Sequence, residues 1–222
     1  MSETNNQLEN LGDALARSLQ PMKNISFAEV VRSLSGHTVI PLDRNEPADQ
    51  ALVAQLSEAA RLCAEEPRKA PILRPRPNEV GNDIEPYVMR GMTTAGLKCA
   101  RPTTIGGALK TTGYPDILVH DAIGRPTYVE CKIYSEATAS TSMRSFYLSP
   151  SDDFKVTCEA RHLLMAFEMV ATPLPNSRDA EYRAAAFKLV DLHNLLCDVK
   201  YEFNSDNRRL YEPEMILAEG SV

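Results

Sequence analysis

YPDILVHD-AIGR-PTYVECKIY, residues 114–134, is the stretch whose reading decides the fold. Its two flanks are rich in β-branched and aromatic residues, which suit a pleated, half-buried surface, and Gly124 marks the connection between them as a turn. The segment therefore reads as an antiparallel hairpin. Centring the turn on Ile123 makes residues equidistant from it cross-strand partners, which sets Asp116 against Glu130. Directly opposed Cβ atoms lie only about 4.5–5.5 Å apart, so the two carboxylates share a face within reach of a single cation. Lys132 follows Glu130 by one strand period and joins that face. Ile117, Val119, Val129, Cys131 and Ile133 then point the other way, into a core.

Two carboxylates this close repel each other unless a proton or a cation compensates, and an all-oxygen site selects Mg2+ or Mn2+ over zinc. A hard cation lowers the pKa of a bound water and stabilises charge on a phosphate. A lysine beside it can orient or deprotonate the attacking water, or stabilise the transition state. These are the parts of phosphodiester hydrolysis. The plainer alternative for Asp116, Glu130 and Lys132 is a solvent-facing ion network, which contributes little.

Pro115-Asp116 followed by Glu130-Cys131-Lys132 on the next strand resembles the PD-(D/E)xK nuclease superfamily of restriction and repair endonucleases. The resemblance covers roughly residues 79–200. It implies an α/β, restriction-endonuclease-like core with a central mixed β-sheet flanked by helices, and acids that bind Mg2+ together with the backbone carbonyl of Cys131. Gly81-Asn82-Asp83-Ile84-Glu85 is similar to the helix that carries a further metal-associated glutamate in mismatch-repair nicking endonucleases and some restriction enzymes. That implies Glu85 as a fourth metal-site residue. Pro86 directly after it would kink a helix unless it lay in the first turn, which keeps Glu79 as a competitor.

Outward from the hairpin, helical spacing predicts helices over about 6–20, 26–35 and 48–65, an N-terminal helical subregion spanning 1–66. The run EEPRKAPILRPRPNE follows, and Pro67, Pro71, Pro75 and Pro77 forbid a continuous helix there, so residues 67–78 read as a connector to a nuclease core over 79–222. Within that core a helix over 79–91 and a strand near Leu97–Ala100 precede the hairpin. Residues 135–153, rich in Ser and Thr, read as a long functional loop. Thr157–Val170 reads as a helix with Leu163, Leu164 and Phe167 on one side, and 184–192 as a buried strand.

The 222 residues carry 24 basic and 30 acidic side chains, a balance that argues against broad coating of nucleic acid but leaves room for a local patch. MSETNNQLEN lacks the basic and apolar features of a secretory signal, and no stretch approaches the roughly 20 apolar residues of a membrane span, so a soluble, cytoplasmic protein is expected. Five cysteines without a CxxC pair read as reduced thiols.

Arg144, Ser145 and Tyr147 in the long loop, with Lys155, Arg161 and His162 after it, offer donors suited to phosphates or base edges of double-stranded DNA. Arg68, Lys69, Arg74 and Arg76 form the densest basic run and read first as a solvated linker. His120, at the hairpin's end, reads as structural. The resemblance, more than composition, implies a type II-like restriction endonuclease that cuts duplex DNA at a short sequence as a homodimer, with a cognate methyltransferase acting on the same site. A repair or structure-specific nuclease of the same fold and a non-catalytic DNA-binding module are the alternatives.

Overall fold

The hairpin forms in the register its turn dictates. In the computed structural model, which describes residues 13–20, 22–142, 144–200, 206–210, 212–216 and 218, Ile117 pairs with Val129, Leu118 with Tyr128, Val119 with Thr127 and His120 with Pro126. Asp121 locks the turn. Its carboxylate accepts from the N–H groups of Ile123 (3.1 Å) and Arg125 (2.9 Å) and pairs with the Arg125 guanidinium at 2.6 Å. Gly124 sits at φ 83°, where a side chain would be strained.

The strands, in chain order, are β1 (Ile25–Ser26), β2 (Ile72–Arg74), β3 (Lys98–Ala100), β4 (Ile117–His120), β5 (Pro126–Tyr134), β6 (Arg161–Pro173), β7 (Ala180–Asp191) and β8 (Leu196–Cys197). The helices are α1 (Phe27–Ser35), α2 (Pro47–Lys69), α3 (Pro77–Thr94) and α4 (Asn207–Leu210), with single 3-10 turns at Glu136–Thr138 and Pro213–Met215. Six strands make one mixed sheet in the order β2-β7-β6-β5-β4-β3. All neighbours are antiparallel except β5 and β6, which run parallel with Glu130 beside Leu164 and Lys132 beside Ala166.

The parallel pair corrects one expectation. The helix predicted over Thr157–Val170 is the central strand β6, so the hairpin is followed by two strands in place of a helix and a strand. Leu, Met, Ala and Glu dominate Leu163–Met169 and favour helix locally. Buried between β5 and β7, however, the strand has apolar residues on both faces, and period-2 alternation disappears. The crossover from β5 to β6 is instead the long segment 135–160, whose described residues are irregular apart from the Glu136–Thr138 turn and a single bridge of Ala160 to Val39. The strand expected over 184–192 begins earlier, at Ala180, and is only partly buried: Tyr182 and Ala184 are in the core, whereas its far half is largely exposed.

Helices α2 and α3 cover one face of the sheet. Leu52, Leu56, Ala59 and Cys63 from α2 and Val80, Ile84, Val88 and Met92 from α3 share one hydrophobic cluster with Ile117, Val119, Val129, Cys131, Leu163, Met165 and Phe167. The proline-rich stretch therefore does not divide the chain into separate cores. Residues 26–196 form one compact unit, and Pro67 lies inside α2 in place of ending it. It is a buried residue of the last turn, where the helix ends with the Ala70 N–H on the Glu66 carbonyl. Three basic residues of the adjoining run are ion-paired, Lys69 with Glu65, Arg74 with Asp83 and Arg76 with Glu79.

The described residues of 1–25 and 197–222 form the other unit. Within it residues 13–18 are helical, Val199 donates its N–H to Met22 (2.9 Å), and Asn24 donates to the Asp198 carboxylate (2.9 Å). Residues 6–12 of the first predicted helix lie outside the described residues.

Helices α2 and α3 come into close backbone contact at Gly91, where a Cβ would collide with the Ala59 carbonyl oxygen and crowd the Cys63 amide nitrogen. Both are backbone atoms and cannot swing aside. Gly91→Ala should therefore destabilise the protein by about 1–3 kcal/mol despite alanine's better helix propensity. Urea unfolding checks this, and an unchanged or raised midpoint would show that the helices can move apart without cost.

Candidate active site

The turn-defined register brings the three candidate side chains, Asp116, Glu130 and Lys132, together at the open end of the hairpin. Asp116 stands one residue before β4, opposite Glu130 by continuation of the ladder, and its Oδ2 accepts the Cys131 N–H at 2.8 Å. Glu130 is 4% exposed. Its Oε1 pairs with the Lys132 ammonium at 2.7 Å, while Oε2 is buried with no hydrogen-bond partner among the described residues. Because β4 begins only at Ile117 while β5 runs on to Tyr134, the far half of β5 is open on that side, and a cleft of about 460 Å³ lies there.

Asn78, Gly81, Asn82 and Glu85 of α3 form one wall of the cleft. Their spacing is i, i+3, i+4 and i+7, one face of a helix. Glu85 is thus the helix acid that reaches the cleft. Glu79 does not line it and pairs instead with Arg76 at 2.8 Å. Pro86 lies well past the first turn, yet α3 continues through it to Thr94, against the expectation that it would need a first-turn position. Arg101, a residue with no sequence signal for this role, reaches Glu85 at 3.3 Å.

The acids strain the electrostatics of the cleft. Burial, reinforced by Asp116, pushes the Glu130 carboxyl up to about 7 against an ordinary 4.5, and Lys132 only partly opposes this. Glu85 is raised for the same two reasons. Burial works against a charged Lys132, but Glu130 and Asp116 outweigh it and hold Lys132 above the ordinary lysine value. Lys132 is therefore an ammonium here. A divalent cation fits this set: the orphaned Glu130 oxygen lacks a positive partner, Asp116 lies beside it, and every side-chain donor offered is an oxygen. Among the described residues no three His, Cys, Asp or Glu side chains form a ready-made cage. Magnesium does not require one, being held typically by one or two carboxylates with water and phosphate oxygens.

Residues 21–214 match the family described as "Type II restriction enzyme MjaV family". The chain belongs to that family. It is also similar to the type II restriction enzyme MjaV of Methanocaldococcus jannaschii, 34% identical over 226 residues that cover 95% of each chain. No solved structure matches. Membership of a restriction-enzyme family makes the chain an endodeoxyribonuclease, and no described helix is long and apolar enough to cross a membrane.

The six residues selected from the sequence for DNA contact separate into two groups. Arg144, Ser145 and Tyr147 are exposed on the crossover loop, with the Arg144 guanidinium 4.8 Å from the Tyr147 ring centre, and Tyr147 lines the cleft. Lys155, Arg161 and His162 are buried, and each is engaged by partners within the fold. Arg161 pairs at 2.8 Å with Asp49, itself 1% exposed. His162 is fully buried, faces the Tyr114 hydroxyl at 2.6 Å through Nδ1, and is kept neutral by burial, which drives its pKa down to about 3. Lys155 donates to the carbonyls of Gly113 (2.6 Å) and Pro115 (3.1 Å) and so holds the segment that presents Asp116. His120 is exposed at the hairpin's end, away from the cleft.

Glu130 gives the metal-free protein a defined pH response. A carboxyl raised in the fold binds a proton that the unfolded chain has already lost, so stability falls as pH rises from about 4.5 to about 7. In a chelator the melting temperature should drop between pH 5 and pH 8, and Glu130→Gln, neutral throughout, should flatten that drop. Parallel pH profiles for the two proteins would show that Glu130 is not the desolvated acid described here.

Proposed function

We propose that the chain is a PD-(D/E)xK nuclease that hydrolyses duplex DNA at a short specific sequence, with Asp116, Glu130 and Lys132 as its catalytic set and Mg2+, or Mn2+ in substitution, as its cofactor. The observation that carries this reading is the buried Glu130 Oε2, without a hydrogen-bond partner among the described residues, beside Asp116 in an open cleft of a restriction-enzyme family member. Asp116, Glu130 and the Cys131 carbonyl would hold the cation, with Glu85 on the facing wall. The cation supplies a more acidic bound water and positive charge at the scissile phosphate.

The protein's own groups then divide the work. The Cys131 N–H fixes one oxygen of Asp116, Lys155 holds the backbone that precedes it, and the closed register keeps Glu130 opposite. Lys132, held as an ammonium, stabilises negative charge on the phosphate in place of acting as the base. One chain offers one such centre, and cutting both strands of a palindrome calls for two related by a two-fold axis, so a homodimer is part of the proposal. A methyltransferase protecting the same sequence in the host completes it.

Purified protein incubated with a plasmid of known sequence and Mg2+ should yield discrete fragments with constant ends, and chelation should stop cutting. Asp116→Ala, Glu130→Ala and Lys132→Ala should each lower the cleavage rate by about a thousand-fold or more. The two acid variants should melt within a few degrees of the parent or above it, because removing either acid relieves repulsion, whereas Lys132→Ala should melt lower at neutral pH, because it leaves the buried Glu130 carboxylate without its ammonium partner. Ragged ends would disprove sequence-specific cutting, and a fully active variant would remove its residue from the catalytic set.

A further inference from the structure

Two glycines interrupt α3, and a glycine inside a helix is destabilising relative to alanine. Gly91 has a packing reason in the Ala59 backbone pressed against it. Gly81 has none: a Cβ there would meet nothing within 4 Å. The open space above Gly81 is the cleft that holds Asp116 and Glu130. On either side of it along the same helix face stand Asn78 and Asn82, both exposed, and neither side-chain amide has a hydrogen-bond partner among the described residues. The charged side chains of the same turns are committed elsewhere, Glu79 to Arg76 and Asp83 to Arg74. Thr111 and Thr112, likewise exposed, line the cleft too.

We infer that the Asn78–Gly81–Asn82 face of α3 is the seat of the DNA sugar–phosphate backbone next to the scissile phosphate. This inference rests on the nuclease reading above and names where its substrate lies. Asparagine amides donate to phosphate oxygens without adding charge, and a position without a side chain between them lets a strand approach the helix closely. The wall has no carboxylate before Glu85, so a polyanion can follow it to the acids without repulsion along the way. Contacts of this kind position DNA and carry no sequence information, so their loss weakens binding to every sequence alike.

Gly81→Leu fills the space and also improves helix propensity, which separates binding from folding. It should melt at or above the parent, yet raise the Kd for a short duplex carrying the cut site at least tenfold, measured by fluorescence anisotropy in chelator. The Asn78→Ala/Asn82→Ala double variant should raise it several-fold. Both should weaken binding to an unrelated duplex by similar factors and cut at the parent's sequence. Parent-like binding by either well-folded variant overturns the inference, as does an altered cut sequence at unchanged affinity, which would make this face a reader of bases. If Gly81→Leu melts below the parent, the double variant decides by the same criteria. A parent that cuts no DNA fails the nuclease reading itself and takes this inference with it, whereas a parent that cuts beside unaffected variants fails only the inference.

Discussion

Everything about this site depends on the register of β4 against β5. Because side chains alternate along a strand, a slip of one residue would turn Glu130 and Lys132 to the helix-covered face and leave Val129 and Cys131 in the cleft. The register is held at both ends of the hairpin. At the turn Asp121 gathers two N–H groups and the Arg125 guanidinium. Arg125 also reaches the buried Asp49 of α2 at 2.8 Å, as does Arg161 at the start of β6. One carboxylate thereby ties a helix start, a turn and a central strand together. At the other end, the Cys131 N–H and the Lys155 ammonium hold the approach to Asp116.

Local chemistry made the hairpin legible in the sequence. β-branched residues, a glycine turn and the pairing of equidistant residues are nearest-neighbour properties, and they were enough to place Asp116 opposite Glu130. The helices α1, α2 and α3 were legible for the same reason, since they carry their apolar residues at helical spacing. What could not be read were consequences of burial. The Thr157–Val170 segment has helical composition because its residues answer to a doubly covered central strand rather than to one amphipathic face. Pro67 and Pro86 sit within helices that packing against the sheet sustains. Lys155, Arg161 and His162 have the donor groups of a DNA surface, but their partners are Pro115, Asp49 and Tyr114, each distant in sequence.

Around His162 the far face of the sheet is closed by aromatic rings. Its ring stacks on Tyr114 at 5.8 Å and meets Phe27 at 5.6 Å and Tyr128 at 5.0 Å, while Phe146 of the crossover loop packs on Phe27 and Tyr114. The irregular crossover between the parallel strands is thus anchored by Phe146, next to Tyr147 at the cleft. That arrangement lets one segment connect β5 to β6, seal the aromatic face and expose polar side chains beside the acids.

Burial also sets the electrostatics of the candidate centre. Glu130, desolvated and next to Asp116, is held near neutrality in its pKa and has one oxygen without a partner among the described residues. Full exposure would relieve that cost but leave two ordinary surface carboxylates bound to water. Complete neutralisation by nearby cations would relieve it too, yet the nearby charges are divided: Arg101 pairs with Glu85, Lys132 with only one oxygen of Glu130, and the Lys155 ammonium, which also acts on the three acids, donates to the Gly113 and Pro115 carbonyls. Glu130 Oε2 is left without a hydrogen-bond partner among the described residues, and a cation held there, as proposed above, would gain interaction energy that the described side chains leave unsatisfied. The same desolvation and repulsion raise the Glu130 carboxyl in the absence of a cation, so on the proposed reading cation affinity and the cost of the metal-free state would have a single physical source.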